Sequence, residues 1–278
     1  MSRRGPRAIA ALMAAFSQLW QLIVRQYKEF VAAVQFLSVL PVPGSARLFS
    51  TDHAEAELVI GSLYFPLVGL LIGLILCLIT VFIGPYIPTL VLSALLVVVN
   101  IWLTGGLHLD GLMDACDGLF GGRDREHKLE IMRDSRVGSF GVLGGVSILL
   151  LKFALLASMN LHQLPVVFLL ALSASRWALV FAMYIFPSAR PTGLGAAVRQ
   201  VVTMRRLIIA SVLAFLIALI FGHLAGLCVL GIAAFVVVVL GLWVTRSLGG
   251  LTGDIYGMMA EVVEVVCLLL LMFLGRVS

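Results

Sequence analysis

Asp110, Asp114 and Asp117 stand at i, i+4 and i+7 in the stretch HLDGLMDACDGLFGG, residues 108–122. On a helix that spacing puts three carboxylates on one narrow stripe. Left unpaired they repel one another and lose hydration near a bilayer. A hard divalent cation relieves both costs: Mg²⁺ takes carboxylate oxygens and substrate phosphates while keeping several waters. The expectation is a Mg²⁺ site on Asp110, Asp114 and Asp117. A merely solvated helix end is the plainer alternative, but acids in or beside a membrane default to a functional reading. Neighbouring Gly105, Gly106, Gly111, Gly118, Gly121 and Gly122 allow close backbone approach. His108 has no second histidine at ligand spacing and reads as structural or supporting.

Two more stretches carry chemistry. In EIMRDSRVGSFGVLGG, residues 130–145, Arg133 and Arg136 bracket Asp134 and Ser135. Guanidinium forks fit phosphate oxygens, and an acid between them orients an arginine or completes a metal shell. In RSLGGLTGDIYGMMAEVVE, residues 246–264, Asp254 lies in a glycine-rich loop, and Glu261 and Glu264 share a helix face. The three acids suggest a second wall of the same polar site. Arg190 and Arg199 in ARPTGLGAAVRQ offer further anion contacts. Lys152 and Arg176 lie inside apolar runs, where an uncompensated cation is costly, so they should meet buried acids or a phosphate.

Carboxylates for metal and arginines for phosphate suit phosphoryl transfer, in which metal and cations neutralise a pyrophosphate and an alcohol attacks in line. No GxSxG, HExxH or P-loop lysine motif is present, which argues against a serine hydrolase, a zinc protease and a P-loop NTPase.

The elements that must position these residues are membrane helices. The 278 residues are 62% hydrophobic and 12% charged, with a mean hydropathy of +1.13. That excludes an ordinary soluble globular domain, which is roughly 25% charged. Apolar runs of spanning length fall near 59–83, 86–107, 138–159, 164–186, 207–221, 224–244 and 258–274. The expected fold is therefore an all-α, polytopic membrane bundle of about seven transmembrane helices. A short apolar segment at 30–43 reads as re-entrant or interfacial. Residues 1–29 read as a basic amphipathic extension at the membrane surface, and 30–278 as one membrane-embedded catalytic domain. With seven spans, every one of the 19 Lys and Arg residues except Lys152, Arg176 and Arg276 falls on the side of the N-terminus. The positive-inside rule makes that side cytoplasmic. The net charge of +5 is then explained by anionic lipid, with no nucleic acid partner. Cys77, Cys116, Cys228 and Cys267 are dispersed without CxxC spacing and read as packing residues.

Taken together, GGLHLDGLMDACDGLFGG, IMRDSRVGSFGVLGG, ARPTGLG and LGGLTGDIYGMMAEVVE, preceded by FLSVLPVPG and LYFPLVGLLIGL, closely resemble the cobalamin synthase family, the adenosylcobinamide-GDP ribazoletransferases. The resemblance runs from about Phe30 to Glu264 with the motifs in the family's order. It departs where MDAC and DIYGMM stand in place of smaller residues, leaving the carboxylates undisturbed. It implies that adenosylcobinamide-GDP is joined to α-ribazole or its 5′-phosphate, yielding adenosylcobalamin or its phosphate and GMP. It also implies Mg²⁺ and an inner-membrane location, and leaves open a homo-oligomer or a complex with other cobalamin-assembly enzymes. The ribazole hydroxyl would attack the β-phosphorus, Arg133 and Arg136 would bind phosphate oxygens, and Asp134, Asp254, Glu261 or Glu264 would complete the metal shell or take the proton. Arg190, Lys152 and Arg176 are the remaining candidate anion contacts.

Two other classes compete. A CDP-alcohol phosphotransferase needs D-x2-D-G-x2-A-R followed by G-x3-D-x3-D; Asp114, Asp117 and Gly118 begin it, but Gly121 and Gly122 replace Ala-Arg and the second half is missing. An ion-coupled transporter would place its acids at the midplane between broken helices, whereas these acids gather at one membrane face.

Overall fold

The computed structural model describes residues 5–42 and 60–277. Arg3, Arg4, Arg47, His53 and the first residue of the span expected at 59–83 lie outside them. Among the described residues all regular structure is helical: α1 (Gly5–Leu37), α2 (Phe65–Ile83), α3 (Thr89–Leu103), α4 (Leu107–Gly121), α5 (Arg125–Ile131), α6 (Ser139–Ala157), α7 (Leu164–Ile185), α8 (Leu194–Val201), α9 (Met204–Leu248) and α10 (Gly253–Val277). Hydrocarbon offers no partner for backbone N–H and C=O, so apolar runs of this length bond within themselves as helices. Pro66 and Pro165 occupy first-turn positions of α2 and α7, where their missing N–H costs nothing.

Helix α7 is the hub: every residue from 167 to 180 is buried. Helix α2 lies against it through Gly69 and Gly73; a Cβ on Gly73 would sit 2.7 Å from the Phe168 carbonyl oxygen. Small residues that let backbones touch are how membrane helices associate where lipid offers no hydrophobic drive.

Among the described residues five helical stretches are long and apolar enough to span a membrane, or six if the bent pair α3–α4 counts as one. That differs from a plain count of seven runs for two reasons. The first is α9, two helical arms joined at His223, which takes the non-helical angles φ 46°, ψ −126°. The chain doubles back there. Ser211 bonds to Trp177 and Gly222 packs on Leu170, whereas Gly241 packs on Phe186 and Gly226 touches Ala218. The stretch is a hairpin whose arms run antiparallel and parallel to α7, matching the separate runs at 207–221 and 224–244. The second reason is α3–α4, bent by 89° where Gly105 (φ 61°) and Gly106 (φ 71°) take left-handed conformations.

Of the segment expected at 30–43, residue 43 lies outside the described residues and 30–42 do not form a separate element. Its first half is the buried end of α1, and Val39 then donates to the Leu103 carbonyl. Upstream on the same helix, Phe16, Leu19, Trp20, Ile23 and Tyr27 are exposed. The boundary drawn at 29/30 thus falls inside one continuous helix, at the change from exposed to buried side chains.

The reversal of α9 has a positional consequence. Segments 121–138, 186–203 and 246–254 gather at one end of the bundle, where Arg125 donates to the Leu248 and Ala189 carbonyls and Lys128 to Ser247.

Candidate functional site

At that end α4 and α10 cross with backbones in contact. A Cβ on Gly257 would lie 2.9 Å from the His108 carbonyl oxygen and 3.2 Å from Gly111 Cα; one on Gly111 would lie 3.0 Å from the Asp254 carbonyl oxygen. Only two glycines permit that approach, and it delivers Asp110 and Asp254, from helices far apart in sequence, to one cavity of about 260 Å³. Arg190, Thr252, His108 and Tyr256 line the same cavity. The apolar side of the lining comes from the end of α1 and the end of α7.

The three aspartates of α4 grade inward. Asp110 is exposed, Asp114 half-buried and Asp117 buried. Asp114 lies within electrostatic range of Asp110, Asp254 and Asp117, all of its own sign. Asp117 has a different duty: its carboxylate accepts from the backbone N–H groups of Gly138 (2.7 Å) and Gly141 (2.8 Å), holding the N-terminal turn of α6. A carboxylate there stabilises the positive end of the helix dipole. Gly138 and Gly141 leave the room it fills, since a side chain on either would collide with it. Among the described residues no three His, Cys, Asp or Glu side chains are already placed to close on a metal. The donors nearest the cavity nevertheless suit Mg²⁺, which binds through one or two carboxylates and takes the rest of its shell from water and phosphate. Asp110 and Asp254 line the cavity and Asp114 lies within electrostatic range of both, so these are the carboxylates that could hold the ion, and their mutual repulsion is what a cation would relieve.

The arginines divide by what already holds them. Arg190 NH2 donates to the Leu129 carbonyl (2.8 Å), and its NH1 lies 3.9 Å from Asp254 Oδ2, to which Thr252 also donates. Burial pushes the Arg190 guanidinium below its ordinary value against the pull of Asp254, and the like charge of Arg133 pushes the same way. Arg133 is exposed and shares a surface groove with Arg190. Arg125, Glu126 and Glu130 line the same groove, so cations outnumber acids by one, and Arg190, whose Nε has no partner among the described residues, is the group best placed to meet an anion there. Arg136 is occupied: its side chain and backbone N–H bind Asp134, with NH2 2.6 Å from Oδ2. Those hydrogen bonds hold the Asp134 carboxyl down to about 2. So acidic a group is a weak proton acceptor at neutral pH.

Glu261 and Glu264 do not join Asp254 at the cavity. They turn into the bundle, where Lys152 Nζ lies 2.7 Å from Glu261 Oε2 and 2.8 Å from Glu264 Oε1. Asn100 donates to Glu264 (2.9 Å), and Arg176 NH1 lies 3.6 Å from its other oxygen. All four charged side chains are buried. Two cations thus neutralise two anions, which makes burial tolerable. Lys152 and Arg176 meet acids, the first of the two environments expected for them, and the second wall of the site reduces to Asp254. The i, i+3 spacing of the glutamates was visible in the sequence; the direction of that face was not.

Sequence reasoning missed Tyr256, Thr252 and Asn100, and gave His108 too small a part. His108 and Tyr256 are 3% and 4% exposed, and His108 Nδ1 and the Tyr256 hydroxyl have no hydrogen-bond partner among the described residues. Tyr256 follows Asp254 by two positions, the one signal in the sequence that pointed to it.

Comparison with known proteins points the same way. No solved structure matches the chain. An adenosylcobinamide-GDP ribazoletransferase of Roseiflexus sp. is 42% identical over 236 residues, covering 85% of this chain and 86% of the relative. The protein of that name from Desulforamulus reducens is 39% identical over 233 residues, 84% of this chain and 91% of the relative. That from Citrobacter koseri is 38% identical over 251 residues, 88% of this chain and 99% of the relative. The family profile described as cobalamin-5-phosphate synthase matches residues 29–272, a stretch that contains every cavity-lining residue described above, and the chain belongs to that family.

Proposed function

We propose that this protein is a membrane-embedded transferase that joins adenosylcobinamide-GDP to α-ribazole or its 5′-phosphate, giving adenosylcobalamin or its phosphate and GMP. The observation that carries the reading is the single cavity that gathers Asp110, Asp254 and Arg190, with Arg133 in the adjoining groove: acids and cations arranged for a pyrophosphate. Family membership and the relatives' names supply the substrates.

Mg²⁺, held by Asp110 and Asp114, would supply charge neutralisation on the phosphates. The protein's own groups do the rest. Arg190 is tethered by Leu129 and Asp254, so it meets a phosphate without first losing side-chain freedom. Arg133 adds a second cation where charge shifts onto the leaving GMP. The ribazole hydroxyl oxygen bonds to the β-phosphorus as the bond from that phosphorus to the bridging oxygen breaks, and the bridging oxygen leaves with GMP. The hydroxyl proton goes to a carboxylate at the cavity; Asp254 and Asp110 line it, while Asp134 is too acidic to compete. In this reading the basic end of the bundle faces the cytoplasm of an inner membrane; the asymmetry of Lys and Arg supports the side.

The test is turnover: purified protein in detergent or nanodiscs, given both substrates and Mg²⁺, should release GMP in equal amount to the corrinoid product. Flux across proteoliposomes without chemistry would reverse the choice in favour of a transporter.

A further inference from the structure

We propose that the cavity between α4, α7 and α10 is the acceptor subsite, the place where the aromatic nucleoside binds, and that Tyr256 and His108 recognise it. This rests on the transferase reading above. Three observations carry it: size, lining and unsatisfied polar groups.

The cavity holds about 260 Å³, near the lower end of ligand pockets, which run to roughly 300–1,000 Å³. A nucleoside fits that space; a corrin ring with its peripheral amides does not, and must stay outside. Phe36, Leu37, Leu107, Leu179 and Met183 make one side apolar. Such a surface favours a base with few hydrogen-bonding groups.

The polar side then selects between the two bases in the reaction. Within the lining residues, His108 Nδ1 and the Tyr256 hydroxyl are buried and lack partners among the described residues. A buried polar group left unpaired is destabilising, so each gains a hydrogen bond if a ligand in the cavity draws it round. A dimethylbenzimidazole nucleoside has one free ring nitrogen and its ribose hydroxyls, which two such groups can satisfy. Guanine has a full edge of donors and acceptors, and the apolar wall would strand most of them. With its base among the apolar residues, the nucleoside turns its ribose toward Asp110, Asp254 and Arg190, where the phosphates arrive.

The experiment uses the full-length protein in nanodiscs. Tyr256→Phe keeps the ring and removes only the hydroxyl. It should raise KM for α-ribazole about tenfold, the effect of one hydrogen bond into a buried site, while KM for adenosylcobinamide-GDP stays within about twofold. Met183→Trp fills the apolar end; it should abolish α-ribazole binding in calorimetry and leave binding of the GDP-linked corrinoid intact. A rise in the corrinoid KM with Tyr256→Phe, or α-ribazole binding that survives Met183→Trp, overturns the subsite. Repeating the measurements with α-ribazole 5′-phosphate shows whether the phosphate changes the preference without moving the base. The two readings fail separately: wild-type protein that binds α-ribazole but never releases GMP sinks the transferase and keeps the subsite, whereas normal turnover with unmoved ribazole parameters in both variants does the reverse.

Discussion

Gly111 and Gly257 touch where α4 crosses α10, and a Cβ on Gly257 would lie 2.9 Å from the His108 carbonyl oxygen and 3.2 Å from Gly111 Cα. The contact fixes the distance between Asp110 and Asp254. Gly257→Ala forces backbone apart from backbone, with no flexible side chain to yield. A displacement near 1 Å at a reacting centre costs on the order of 10²-fold in rate. The expected outcome is a large fall in kcat in protein that still purifies as a folded, monodisperse species. Wild-type kcat in Gly257→Ala would show that the crossing does not set the site.

Asp114 and Asp117, three positions apart, should fail differently. Asp117 holds the first turn of α6 through Gly138 and Gly141, so Asp117→Ala should cost roughly 1–2 kcal/mol of stability, the usual effect of a lost N-terminal cap. Asp114 sits among like charges, so Asp114→Asn should leave thermal stability equal or higher while turnover collapses. Added Mg²⁺ should raise the melting temperature of the wild type and not of Asp114→Asn. Thermal unfolding in detergent, with and without Mg²⁺, reads both.

This pair also marks what was legible in the sequence. The i, i+4, i+7 stripe was readable because helix geometry is local, and so was the membrane bundle, because apolar runs are local too. What Asp117 touches was not readable, since Gly138 and Gly141 reach it only through tertiary packing. Glu261 and Glu264 repeat the lesson. Their shared face was evident, but its orientation depends on Lys152 and Arg176, brought alongside by two other helices. The hairpin in α9 was legible in part: the apolar runs at 207–221 and 224–244 stand apart in the sequence, whereas the sharp reversal at His223 rests on its backbone angles and on the packing of Gly226 against Ala218.

The Lys152–Glu261–Glu264–Arg176 network makes a stability prediction. Removing one partner leaves an uncompensated buried charge, which costs about 3–5 kcal/mol. Lys152→Met should therefore unfold far more readily. Lys152→Met combined with Glu261→Gln should recover part of the loss, because the charges again balance. Unchanged melting of Lys152→Met would mean that the network is not what holds α6 to α10.

Topology is open to chemistry. Arg123 and Arg246 are exposed at the basic end, so Arg123→Cys and Arg246→Cys should resist an impermeant thiol reagent in intact cells and react once the membrane is opened. Labelling of either in intact cells would invert the assignment.

The last prediction concerns the acid limb of the pH–rate profile. Asp134 is held down to about 2 by its hydrogen bonds with Arg136. A carboxylate with so low a folded value is ionised throughout the working range of an enzyme. Whatever stability its ionised form adds is complete above the ordinary carboxylate range and is lost only as pH falls toward 2. A titration between pH 5 and 8 cannot arise from it. Asp134→Asn should therefore change the height of the profile, by releasing Arg136 from its partner, and leave the position of the acid limb where it was. Asp254→Asn, by contrast, removes a cavity carboxylate that also positions Arg190, and should lower kcat and shift or abolish that limb. If Asp134→Asn moved the limb and Asp254→Asn did not, the proton acceptor would belong to the arginine loop, outside the cavity.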